Sequence, residues 1–119
     1  MSELSAIRIA LDELRKTEHV LDAALVSRGG MFIMGGTPKE VHRETFAAMS
    51  AIIFGAAETT SSELREHLVK VRVELAEQIV FLIGVGPKHL IAIITDLEAD
   101  EEMIVQKSKG LIPKVELML

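Results

Sequence analysis

The sequence predicts an α/β (α+β) fold with elements in the order α-β-β-α-β-β-β-α, forming one domain over residues 1–119. Three observations carry this reading. A long helical stretch between Thr37 and Ser62 has no charge from Phe46 to Ala57. After it the apolar period changes to two: Val69, Val71, Val73 and Leu75 alternate with Lys70, Arg72 and Glu74. Short turns at Arg28-Gly29-Gly30, Ala76-Glu77 and Gly86-Pro87-Lys88 separate apolar runs that are brief enough to be strands.

Ser2 to Lys16 reads as the first helix. Leu4, Ile7, Leu11 and Leu14 recur at helical spacing, and Ser2 can cap it. Val20 to Ser27 reads as a strand, and Met31 to Met34 returns as its hairpin partner before Gly35-Gly36 breaks the chain. Thr37 can cap the long helix, with Pro38 at its first position and Glu40 reaching back to the cap. At roughly 1.5 Å per residue that helix would be about 35–40 Å long. Val69 to Leu75 is a half-buried strand with one wet face, and Ile79 to Val85 a strand covered on both faces. Leu90 to Ile94 follows, and links this short require an antiparallel meander. Asp100-Glu101-Glu102 opens a last helix with carboxylates where the helix dipole favours them. Gly110 and Pro113 predict a kink or restart, because a proline ring clashes with a carbonyl one turn back.

The long helix is the most informative element. Val41, Phe46, Met49, Ile52, Ile53 and Ala56 share one broad face suited to lying on a sheet. The opposite face presents Ala47, Ser50, Ala51 and Phe54, where a surface helix would place Lys or Glu. A helix apolar nearly all round is covered on both sides. One small domain has material for one cover, so the second is expected from another chain, meeting Ala47, Ser50, Ala51 and Phe54. The plainer alternative is a solvated face of Ala and Ser, which Phe54 fits poorly.

Composition narrows the function classes. Nearly half the residues are apolar, yet there is no Trp or Tyr and only four Phe, so the core is aliphatic. A net charge of −5 argues against nucleic acid as the main partner. The absence of Cys excludes disulfides and thiolate metal sites and fits a reducing cytoplasm. No apolar run reaches membrane-spanning length, and the N-terminus lacks the pattern of a signal peptide.

Motifs that would carry chemistry fail on inspection. Gly30 to Thr37 has phosphate-loop spacing, but Gly36 stands where the lysine belongs and the interior reads as a buried strand. Gly84-Val85-Gly86 begins a dinucleotide pattern whose third glycine is replaced by His89. Asp96, Glu98, Asp100 and Glu102 mimic a calcium loop, but Glu101 replaces its glycine and Lys107 its closing glutamate. The four histidines are dispersed, and no serine lies in a nucleophile motif. No catalytic residue, cofactor or metal is expected.

With these elements in place, the chain resembles the Roadblock/dynein-light-chain family, which includes prokaryotic GTPase regulators. The resemblance covers essentially the whole chain. It rests on the hairpin Leu25-Val26-Ser27-Arg28-Gly29-Gly30-Met31-Phe32-Ile33 and on the small-residue helix from Phe46 to Glu58. It implies a five-stranded antiparallel sheet with the long helix on one face and both terminal helices on the other. It implies a homodimer that pairs the long helices and joins the third strands, here Val69, Val71 and Val73. It further implies a non-enzymatic scaffold or regulator that binds a small Ras-like GTPase. A ligand-sensing or adaptor domain of profilin-like topology is the alternative.

Overall fold

The computed structural model describes residues 3–117. The elements run α1 (Glu3–Arg15), β1 (Val20–Ser27), β2 (Phe32–Gly35), α2 (Arg43–Glu63), β3 (Val71–Glu74), β4 (Ile79–Gly84), β5 (His89–Thr95), α3 (Glu101–Lys109) and α4 (Ile112–Glu116). The five strands form one sheet in the order β2-β1-β5-β4-β3. Every neighbouring pair is antiparallel. The expected helix-strand order is therefore present, and the proposed cap at Ser2 lies outside the described residues.

Alternation along the strands divides the core into two layers. Ile7, Leu11 and Leu14 of α1 pack with Ile104, Leu111 and Val115 of the C-terminal helices on one face, against Leu25, Phe81, Ile91 and Ile93. Ala47 and Phe54 of α2 lie on the other, against Ala24, Val26, Leu82, Leu90 and Ala92. β5 is buried along its whole length because it has strands on both sides and helices on both faces.

The C-terminal restart appears where Pro113 required one. α3 ends at Lys109, and α4 begins with Pro113 inside its first turn, where a missing N–H costs nothing. Asp100 caps α3 by accepting the N–H of Met103 at 3.2 Å.

The start of α2 differs from the sequence reading. Thr37 does not cap it: its hydroxyl donates to the carbonyl of Val41, and Val41 N–H bonds Pro38, closing a separate turn. The cap is His42, whose side chain accepts the N–H of Thr45. The helix then runs for 21 residues. At its other end Arg65 takes a left-handed conformation, and the N–H groups of Arg65 and Glu66 bond Ser62 and Ser61. This two-bond closure satisfies the last carbonyls of the helix.

The larger correction concerns which side of α2 meets the sheet. Ala47, Ser50 and Phe54 are buried beneath the helix, with Ala51 half-buried beside them. Met49, Ile52 and Ile53 face away and are 48%, 62% and 41% exposed. Small residues let the helix lie close to the sheet. At Gly30 an added Cβ would come within 3.2 Å of the Cα of Ala48, which measures how near the hairpin approaches. Phe54 fills the gap left where Gly84 has no side chain; a Cβ there would lie 3.2 Å from the ring. Periodicity alone could not choose between the faces, since both are apolar and no charge interrupts either.

Candidate interaction surface

The outward side of α2 carries Met49, Ile52, Ile53 and Ala56, flanked by Thr45, Thr59 and Thr60, all exposed. Large aliphatic side chains exposed in a continuous stripe mark an interaction surface, whereas single exposed leucines do not. The sequence reading had assigned Met49, Ile52, Ile53 and Ala56 to the side that meets the sheet. The charge-free run from Phe46 to Ala57 was the signal that both sides of α2 are apolar.

β3 is an edge strand of the sheet. Val71 and Val73 are half-buried in it, and Val69, just before it, is 58% exposed. Val71 packs in the α2 layer, so alternation places Val69, Val73 and Leu75 on that same side. Leu75 is also exposed. The three valines that the resemblance pointed to therefore sit in or just before an open edge strand. Of the helix residues picked out with them, Ala47, Ser50 and Phe54 are inside the domain and present no surface.

The edge strand is held in place from its other side. Arg72 pairs with Glu101 at the start of α3 and with Glu74 at 2.6 Å, while Lys70 reaches Glu101 at 3.1 Å. Hydrogen bonds from Lys70 and Arg72 hold the Glu101 carboxyl below its ordinary range. Arg72 also lies over the ring of Phe81 at 5.6 Å. The open backbone edge of β3 is thus presented on a braced strand.

A second clamp fixes α2. The Arg28 guanidinium donates to the carbonyls of His89 at 2.8 Å and Gly86 at 2.9 Å, and pairs with Glu58 on α2. It also lies 4.8 Å over the ring of Phe54. One side chain from the first hairpin therefore ties the β4–β5 turn to the second half of α2. A cavity of about 460 Å³ opens beside this clamp. Phe54, Leu68, Val69 and Ile83 supply apolar walls; Arg28 and Lys109 supply positive charge and Glu58 and Glu66 negative charge.

Among the described residues no group of three or more His, Asp or Glu stands close enough to hold a metal ion. No described helix is long and apolar enough to cross a membrane.

Known proteins resemble this chain over nearly its whole length. An uncharacterized protein from Methanocaldococcus jannaschii is 29% identical over 115 residues, covering 96% of this chain and 97% of that protein. Among solved structures, Myxococcus xanthus MglB matches with a TM-score of 0.85 at 17% identity, over 98% of this chain and 97% of that one. A Roadblock/LC7 domain from Streptomyces avermitilis matches with a TM-score of 0.82 at 20% identity, over 99% of this chain and all of that one. The model of the Roadblock/LC7 domain matches residues 7–95, from α1 through the last residue of β5, and the chain belongs to that family.

Proposed function

We propose that the protein is a dimeric, non-enzymatic cytoplasmic scaffold that binds a small Ras-like GTPase. The observation that carries the dimer is the exposed stripe Met49, Ile52 and Ile53 on α2, in a sheet whose β3 edge is open. A twofold axis perpendicular to α2 near Ile52 and Ile53 would lay α2 on α2, and the open edge of β3 offers the partner copy a second contact. A helix about 32 Å long together with a strand edge suits the roughly 1,200–2,000 Å² that stable interfaces bury. Val69, Val71 and Val73 keep their proposed place in this interface. Ala47, Ser50, Ala51 and Phe54 act behind it, by seating the helix.

Family membership and the likeness to MglB support the GTPase as partner. The failure of every catalytic motif supports a mechanism without a donated catalytic group. The dimer would bias the position of the switch segments of the GTPase, and can do so only through different affinities for their alternative states. Light scattering on a sizing column tests the first step: a mass near twice 13.1 kDa is expected, and a monomer at high concentration overturns it. Capture of a Ras-like GTPase from native lysate, with retention that depends on the bound nucleotide, tests the second.

The cavity beside Arg28 favours one alternative, a ligand-sensing domain. Native mass spectrometry of the purified protein separates the two readings, since a retained small molecule would support sensing.

A further inference from the structure

The exposed stripe of α2 places related or complementary residues symmetrically about one midpoint. His42 and Glu63, Thr45 and Thr60, Met49 and Ala56, and Ile52 and Ile53 are pairs that share one midpoint, between Ile52 and Ile53. All of them fall within an arc about 100° wide on the helix. Two copies laid antiparallel about that midpoint would set aliphatic residues together in the centre, threonines outside them, and a histidine opposite a carboxylate at each end.

His42 is prepared for that role by its own cap. Its Nδ1 accepts from the backbone N–H of Thr45 and lies 2.9 Å from the Thr45 hydroxyl. With Nδ1 an acceptor, the proton of the neutral ring sits on Nε2, a donor aimed away from the helix start. The neighbour of Nε2 within the chain is a Glu44 oxygen at 3.8 Å, beyond hydrogen-bond reach. Arg43 is turned to the ring of Phe32, at 5.1 Å. Lys39 and Glu40 are exposed in the preceding turn, and Arg65 and Glu66 are exposed beyond Glu63. Glu63 is exposed and, among the described residues, forms no ion pair.

We propose that the surface fits a second copy of this chain in antiparallel register about Ile52 and Ile53, with His42 of each copy donating its Nε2–H to Glu63 of the partner subunit. The inference rests on the dimer proposed above and assigns its register and its homotypic specificity. A parallel arrangement would set Glu63 against Glu63 of the partner subunit, like charge on like. The antiparallel one follows from a twofold axis perpendicular to α2 at that midpoint. At a crossing angle near 20° the helix axes are still about 10 Å apart at their ends, a gap that His and Glu side chains together span.

The test is a charge exchange read by sedimentation equilibrium at low salt. His42→Asp keeps a good cap while placing a carboxylate opposite Glu63 of the partner subunit. Its dimer should dissociate about tenfold more readily, since two exposed pairs turn from attractive to repulsive. Glu63→Lys should also weaken association. The double variant His42→Asp/Glu63→Lys restores opposite charges and should return to within about twofold of the unmodified protein. Circular dichroism should show equal helix content in all four proteins. A double variant no tighter than the single ones overturns the register, as do three variants that all associate like the unmodified chain. An unmodified chain that stays monomeric overturns instead the dimer on which the register rests.

Discussion

The side of α2 that meets the sheet carries Ala47, Ser50 and Phe54, while the side that faces away carries Met49, Ile52 and Ile53. By hydrophobicity the second set is the better core. The sheet takes the first because distance matters more than side-chain size here. Alanine and serine allow close approach, and a single phenylalanine over Gly84 fills the volume that remains. The large aliphatic residues are then left outside, where they stabilise the protein only if something covers them. The comparison teaches that the residues a helix buries in its own chain need not be its most hydrophobic ones, and that the proposed dimer is read from the others.

Two substitutions break this comparison most directly. Phe54→Ala removes a fully buried ring and should cost about 3–5 kcal/mol of folding stability, read from urea denaturation. Ile52→Arg should leave helix content and sheet intact, because its side chain touches no core cluster. It should instead weaken the dimer by at least about a hundredfold, because an unpaired charge in a closed interface costs several kcal/mol. If Ile52→Arg unfolds the chain while Phe54→Ala merely dissociates it, the two sides have been exchanged. A dilution series distinguishes an obligate dimer from a core defect, since only the former melts lower as it is diluted.

Smaller effects sharpen the same contrast. Gly84→Val would push a side chain into the Arg28 guanidinium at 2.9 Å and the Phe54 ring at 3.2 Å. Overpacking of this kind costs about 1–3 kcal/mol. Since it lifts α2 from its seat, it should lower both stability and dimer affinity. Val69→Lys, on the edge side, should lower affinity by about tenfold or less and leave the melting of a dilute sample unchanged. A charged residue at an open edge opposes pairing without touching the core.

Much of the fold was legible because most elements have one apolar side. In α1, Ile7, Leu11 and Leu14 turn inward while Arg8 and Glu13 stay exposed, so periodicity alone orients the helix. β1 was bounded correctly, as Val20–Ser27, because turn residues flank it. The proline rule anticipated the break before α4. What failed was local chemistry with two solutions. Thr37-Pro38-Lys39-Glu40 has the makings of a helix start, but Thr37 spends its hydroxyl on Val41, and His42, a rarer cap, starts the helix. In α2 both sides are apolar, and the choice was made by the closeness of the hairpin and sheet, which no single-helix pattern contains. The pairing of β3 at the edge depends on strand order, a long-range property.

The smallest expected effect involves the layer that α2 does not touch. His89 shares the strand face of Ile91 and Ile93 by alternation, is buried, and leaves Nδ1 without a partner among the described residues. Burial, reinforced by the charges of Arg28 and Lys88, pushes its pKa below the ordinary histidine value. The native state therefore holds this proton less tightly than the unfolded chain. Its contribution to stability is complete above the unfolded value near 6.5 and is lost as pH falls below it. His19 has the opposite sign. A hydrogen bond to Asp96 at 2.9 Å raises it, so its contribution is present below the unfolded value and fades as pH rises through the folded one. Asp96, lowered by the same hydrogen bond, stays ionised near neutrality. In the unmodified protein the two histidines offset each other. Between about pH 8 and about pH 5.5, His19→Gln should melt progressively lower on acidification, and more steeply than the unmodified protein. His89→Leu should melt higher as pH falls over that range. Neither change reaches Met49, Ile52 or Ile53, so dimer affinity at each pH should match that of the unmodified protein. Melting profiles that coincide for all three proteins would remove both histidines from the account. A shift in dimer affinity with either variant would show that the two layers are coupled through the sheet.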